Sequence, residues 1–356
     1  MKIGIITFHW AANYGAILQA YALQTYLSGF GNDVRIIDYK PYGFDKSLFR
    51  LLVPHRPGTM LREARNYFKD KRVDAFRKKY LHLTERYGSL QELRNSPPDV
   101  DVLICGSDQI WTPGFSMSGE GGKTSTYYLD FGNSTVKRVA YAVSFGCQEY
   151  PGECSNYIKP LLERFEAISV RESSGIEILR KMGIENSTLV SDPTAFLTSK
   201  QYMALLDGSN TVKKEQVCIY MLRKQEKRIK TLIKETISSL KNTGKATTIK
   251  SPTVEKWLEE IARSSFVITN SFHGIMMCLK FHTPFIAITE TGTNAGMNDR
   301  LYTLLQTVGL EDRIISCEKP TFLKGDIDWE KVDSALDGKV RISADFLKKY
   351  LSAGEE

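Results

Sequence analysis

The chain has 356 residues, 42% of them hydrophobic and 25% charged, a composition that suits a globular protein and a length that predicts two domains, each with its own core, with a cleft between them. No stretch approaches the roughly 20 apolar residues of a membrane span, and "MKIGIITF" lacks the apolar core and small-residue cleavage site of a signal peptide, so a cytoplasmic location is expected. The net charge of +7 allows an acidic ligand or an anionic membrane surface, but no helix-turn-helix, zinc-finger or aromatic RNA-binding motif accompanies it, and nucleic acid is not an expected partner.

From Gly4 to Leu27 the chain starts as a strand and becomes a helix, the change falling on His9-Trp10-Ala11-Ala12-Asn13-Tyr14-Gly15. Trp10 there reads as core, and Tyr14 with Gln19 as braces of the helix, unless the turn meets a ligand. A second strand, "DVRIIDY", is followed by a long, basic interval, Pro41 to Ser96, that reads as an inserted helical segment with "VPHRPG" inside it. Its basic run, Arg62 to Leu81, predicts a solvated helix face, with weak attraction to a membrane surface as the alternative.

Next come "DVLICGSD", "RVAYAVSFG", "AISVRE" and "STLVSDP", each an apolar run followed by a polar or glycine-containing turn. This is the alternation of parallel α/β architecture, in which the loops at the strand C-termini share the ligand-binding edge. Two of those loops carry chemistry. In Gly106 to Pro113, Asp108 and Gln109 are suited to accept hydrogen bonds from sugar hydroxyls and Trp111 to offer an apolar face; the competing reading makes Asp108 a helix cap and Trp111 core. Arg171, after "AISV", is placed to hold a carboxylate or phosphate in a bidentate way, or to form a surface pair with Glu172. Ser191 to Thr194 reads as a turn.

Polar and turn-forming residues then collect, and a domain boundary is expected at about residue 195, giving domains 1–195 and 196–356. A new strand series opens with "QVCIYML" and continues through "SFVITNS" and "PFIAIT". Thr269 to Gly274 lies between a strand and the helix "IMMCLKF". Asn270 or Ser271 can cap that helix, and His273 falls in its first turn, beside any anion bound there. A histidine packed there and satisfied by a carbonyl is the equal alternative. "NDRLYTLLQTVGL" reads as a helix start with Arg300 available to an anion, and "ISADFLKKYL" as a polar C-terminal helix.

Common alternatives are missing: no G-x-G-x-x-G follows the first strand, and there is no Walker A sequence, G-x-S-x-G or H-E-x-x-H. The six cysteines, Cys105, Cys147, Cys154, Cys218, Cys278 and Cys317, have no metal-ligand spacing and read as reduced, buried thiols. No carboxylate cluster suggests a metal, and no metal or cofactor is expected.

In their order, "NYGAILQAYAL", "GSDQIW", "YAVSFG", "SVRESSG", "SDPT", "NSFHG" with "PFIAI" beyond it, and "NDRLYTLLQTVGL" resemble the polysaccharide pyruvyl transferase family over roughly residues 3 to 315. The resemblance implies two Rossmann-like α/β domains facing across a cleft, of the glycosyltransferase-B type. It also implies transfer of the enolpyruvyl carbons of phosphoenolpyruvate, as co-substrate, to a sugar, giving a cyclic ketal and phosphate. His273 and Arg171 match the family's donor-binding histidine and the arginine after its "SV" strand. The implied donor site is Arg171, Asn270, Ser271, Phe272, His273, Gly274 and Arg300.

Some members carry Arg-Leu-His where this chain has Ser271-Phe272-His273, so Arg300, Arg223 or Lys280 stand as replacements for that arginine. In a transferase whose second domain holds the donor, the first turn of the first domain becomes an acceptor wall of His9, Trp10, Asn13 and Tyr14, joined by Asp108 and Gln109. The acceptor implied is a polysaccharide or lipid-linked oligosaccharide precursor, with peripheral contact at the inner membrane face. A nucleotide-sugar glycosyltransferase, or a non-catalytic glycan- or anion-binding module on the same fold, are the competing readings. The oligomeric state has no signal in the sequence.

Overall fold

The computed structural model describes residues 1–44, 59–118, 122–206, 213–223, 225–240, 245–250, 252–320 and 325–351. The chain divides into two compact units, Met1–Phe196 with Ile342–Glu356, and Leu197–Arg341. The second domain read from the sequence loses its last residues to the first unit. The physical reason is that Phe346, Leu347 and Leu351 are buried there and Ser343 Oγ accepts from the backbone N–H of Ser191 at 2.8 Å.

In the first unit seven strands form one sheet: β1 (Lys2–Ile6), β2 (Asp33–Tyr39), β3 (Leu83–Tyr87), β4 (Val102–Cys105), β5 (Lys137–Val143), β6 (Ala167–Val170) and β7 (Ser187–Leu189), in the order β3-β2-β1-β4-β5-β6-β7. Every neighbouring pair is parallel. The central strands are apolar on both faces, β4 and β6 buried at every position, as a sheet covered by helices on both sides requires. The strand order reverses between β1 and β4, the switch point outside which open α/β sheets bind ligands. The loops leaving those two strands contain His9 to Asn13 and Asp108 to Gln109.

The second unit has a five-stranded parallel sheet of β8 (Lys214–Tyr220), β9 (Lys245–Thr248), β10 (Ser264–Thr269), β11 (Phe285–Ile288) and β12 (Ile314–Ile315), ordered β12-β11-β10-β8-β9. Its order reverses between β8 and β10, so the switch point lies beside Asn270 to Gly274. The fold is thus two doubly wound parallel α/β sheets.

The interval 41–96 is not a purely helical insertion. A helix, Thr59–Tyr80, leads into β3, which pairs in parallel with β2, and a short helix, Leu90–Asn95, follows. This is an enlarged β-α-β crossover whose edge strand, "LTERY", is half exposed and too polar to announce itself. Residues 45–58, including "VPHRPG", lie outside the described residues. Trp111 is core: fully buried, it donates its indole N–H to the Tyr127 carbonyl at 3.0 Å and stacks on Tyr128. Four cysteines are buried and Cys147 and Cys317 half-buried, all free. Among the described residues no helix is long and apolar enough to cross a membrane.

Candidate active site

In the second unit the site begins where β10 ends. Thr269 Oγ1 donates to the Tyr220 carbonyl at 2.6 Å and accepts from the Ser271 N–H at 3.0 Å, which turns the chain out of the sheet. Ser271, in extended conformation, caps the helix Phe272–Lys280 by accepting the Gly274 N–H at 3.2 Å. Gly274 is needed at this crowded turn: a Cβ there would lie 2.9 Å from Thr269 Oγ1. His273 is therefore the second residue of a capped helix at the ligand edge of the sheet, 5% exposed, with its ring edge-on to Phe272. Backbone N–H groups and the helix dipole favour negative charge at that end.

Asn270 ties the two switch-point loops together. Its Oδ1 accepts from the Leu222 N–H at 2.8 Å, after β8, and its Nδ2 donates to Glu290 at 2.7 Å, after β11. The same Glu290 oxygen pairs with exposed Arg223 at 2.9 Å. Asn298 bonds both backbone groups of Glu290, at 2.8 and 2.9 Å, and so closes the loop that leads to buried Arg300 in the helix Asp299–Thr307. Of the three cations named for the absent arginine, Arg223 joins this network through Glu290, and Arg300 lies in the helix that follows it. Lys280 ends the helix that His273 starts, roughly 10 Å along its axis. The sequence reading missed Glu290, which follows β11 with no motif of its own, and the bonds to it of Asn298, which opens the block "NDRLYTLLQTVGL".

In the first unit Arg171 leaves β6 and is nearly fully buried among carboxylates. Its Nη1 lies 2.8 Å from Asp192, its Nη2 3.5 Å from Asp108 and its Nε 3.8 Å from Glu172. Burial works against its charge, but Asp192, Asp108 and Glu172 together outweigh that and hold the guanidinium above its ordinary pKa. Three carboxylates around one guanidinium leave an acidic neighbourhood, so the expected grip of Arg171 on the donor's carboxylate meets repulsion here. Neither does it form the surface pair: it is interior.

Asp192, in the segment read as a turn, is the hub of this cluster. One oxygen accepts from Thr194 N–H and Oγ1 at 3.0 and 2.6 Å, and the other lies 3.0 Å from Ser107 Oγ. Asp108 is the one in reach of solvent, its side chain 11% exposed. Gln19 joins the two switch-point loops, donating to Thr7 Oγ1 at 2.8 Å and accepting from the Ser107 N–H at 2.9 Å.

The four residues of the expected acceptor wall separate. His9 is fully buried; burial pushes its pKa down against its contacts, Nε2 lying 3.0 Å from Asp38 and Nδ1 3.2 Å from the Thr7 carbonyl. Tyr14 is buried, and burial pushes its phenol well up. Neither presents a polar group to solvent, because both pack under the first turn. Asn13 caps the helix Tyr14–Ser28 by accepting from the Gly15 N–H at 3.0 Å. Trp10 is half-buried, its indole N–H held by Tyr127 Oη at 3.0 Å. Gln109 is half-buried against Gly146, where a Cβ would meet its amide at 2.7 Å. Among the described residues no group of three His, Cys, Asp or Glu is placed to hold a metal ion.

The model of the polysaccharide pyruvyl transferase family matches residues 13–291. A search of curated proteins finds no match. Among solved structures, an alpha-glucosyltransferase in complex with UDP-glucose and DNA is similar at 10% identity and TM-score 0.45, covering 98% of this chain and 95% of that one. Anabaena HepE in complex with UDP and glucose is similar at 8% identity and TM-score 0.46, covering 98% and 99%. The E. coli heptosyltransferase WaaC follows at 11% identity and TM-score 0.36, covering 83% and 91%.

Proposed function

The chain belongs to the polysaccharide pyruvyl transferase family and is a transferase, and from that premise we propose that it moves the enolpyruvyl group of phosphoenolpyruvate onto two hydroxyls of one acceptor sugar. The acceptor is a polysaccharide or lipid-linked oligosaccharide precursor. In the balanced reaction the methylene carbon becomes a methyl, C2 gains two bonds to sugar oxygens, and the bond from C2 to the phosphate oxygen breaks. The two hydroxyl protons end on the methyl carbon and on phosphate.

One observation carries the donor assignment: His273 lies in the first turn of a Ser271-capped helix at the switch point of its sheet. Phosphoenolpyruvate bears about three negative charges near neutral pH. The helix N-terminus, Arg223 and Arg300 supply positive potential there, and His273 gives a proton to the departing phosphate. On the acceptor side Asp108 takes a hydroxyl proton, with Gln109 beside it. Arg171 is a positioning residue that holds Asp108 in place. No metal or cofactor is called for, because fixed cations and peptide dipoles meet the phosphate charge.

The test is phosphate release from phosphoenolpyruvate with a panel of glycan acceptors, with product identified by mass as acceptor plus pyruvic acid less water. His273→Gln is expected to lose about 100-fold or more while keeping its far-ultraviolet dichroism. Asp108→Asn should lose the transfer without losing donor binding. Phosphate release in His273→Gln within about twofold of the parent overturns the assignment, and thermal stabilisation by UDP-, GDP- or CMP-sugars with none by phosphoenolpyruvate replaces the donor.

A further inference from the structure

The first unit contains a cavity of about 450 Å³ at the C-terminal end of β2, against the helix Thr59–Tyr80, with Trp10 in its wall. Five cationic side chains line it against three carboxylates. Two carboxylates are engaged: Asp38 with Arg86 at 3.3 Å and with His9, and Asp74 with Arg77 at 2.6 Å. With five cations against three carboxylates the cavity is net positive, and His9, neutral or charged, does not offset that.

Arg77 is the most telling residue. Its side chain is 8% exposed; Nε donates to the His9 carbonyl at 2.9 Å and Nη1 to Asp74. Nη2 is buried and has no acceptor among the described residues. A buried guanidinium with one arm unfilled, in the wall of a positive cavity, is the arrangement an incoming anion completes. The remaining wall is not that of a simple anion hole. Trp10, fixed by its bond to Tyr127, and Leu83 offer apolar surface, Asp70 offers a hydroxyl acceptor, and the Lys71 ammonium lies 5.6 Å from the Tyr67 ring centre.

We propose that this cavity is a subsite for a phosphorylated sugar, with the ring against Trp10 and the phosphate toward Arg77 and Lys71, so that the acceptor is a glycosyl phosphate or diphosphate. The proposal rests on the reading above that the first unit holds the acceptor. A volume of about 450 Å³ is within the range of small-ligand sites, and an aromatic face beside a charged fork discriminates a sugar phosphate from either part alone.

Calorimetric titration of the full chain with galactose 1-phosphate, galactose and inorganic phosphate tests this. Galactose 1-phosphate is expected to bind more tightly than either fragment. Trp10→Ala, and independently the exposed-site variant Lys71→Glu, should each weaken it by about tenfold or more, the scale of one lost stacking or charge-assisted contact. Equal affinity for galactose 1-phosphate and inorganic phosphate, or unchanged affinity in both variants, overturns the proposal. So does binding to phosphatidylglycerol vesicles that Lys71→Glu abolishes while galactose 1-phosphate does not bind, since the patch is then a membrane contact. Titration with phosphoenolpyruvate alone is the separate arm: its failure in the parent chain counts against the donor assignment and leaves the subsite standing.

Discussion

Lys280 ends the helix that carries His273, a position where a cation suits the helix dipole, yet burial pushes its ammonium down to about 8, against the pull of Asp337 and Asp333. With a folded value below the unfolded 10.5, the unfolded chain binds more protons between the two, and stability rises with pH across that window. Lys280→Met should therefore unfold at higher urea than the parent at pH 7, with an advantage constant below about pH 8 and vanishing toward 10.5. An advantage that does not change with pH would remove burial of the charge as its cause. Arg171 makes the complementary point: the residue type and its place after β6 were legible, but its partners Asp108, Glu172 and Asp192 come from three segments and only folding gathers them. His9 and Tyr14 looked like ligand groups by type and prove to be interior.

At the scale of elements, the two strand-to-helix junctions that stood out in the sequence, at Asn13 and at Ser271, are both capped helix starts beside a sheet's switch point. Local chemistry explains why they were legible: a side-chain oxygen just before an apolar helix satisfies an orphan N–H. Asn13→Ala should cost about 1 kcal/mol in urea unfolding, and Asn13→Gly only a few tenths; equal losses would mean that the Asn13 side chain contributes by packing. Nine strands announced themselves as apolar runs, eight of them inside their sheets, where parallel strands lack polar alternation, and β7 at an edge. β3, β9 and β12 did not. "LTERY" and "KATT" are largely polar and "II" is too short to rise above its surroundings, and all three lie at sheet edges, where pairing with one neighbour supplies what composition does not.

Across the whole molecule, the C-terminal helix Trp329–Leu351 ends in the first unit, where Leu347 is 2% exposed and Phe346 packs near Tyr141. Leu347→Ala should destabilise that unit by about 2–5 kcal/mol, seen as a lower urea midpoint together with faster amide exchange in β5 and β6. Exchange accelerated in β8 and β10 instead would assign the helix end to the other unit. The sequence alone determined the α/β class, the family blocks and the helix start at His273, because hydrophobic period, caps and motif order are local properties of a chain. Tertiary structure alone decided that the chain's end returns to the first unit, that Arg171 is enclosed by carboxylates, and that Trp10 and Arg77 share a positive cavity. Those depend on which distant segments are buried together, and burial sets the charge, reach and partners of each group.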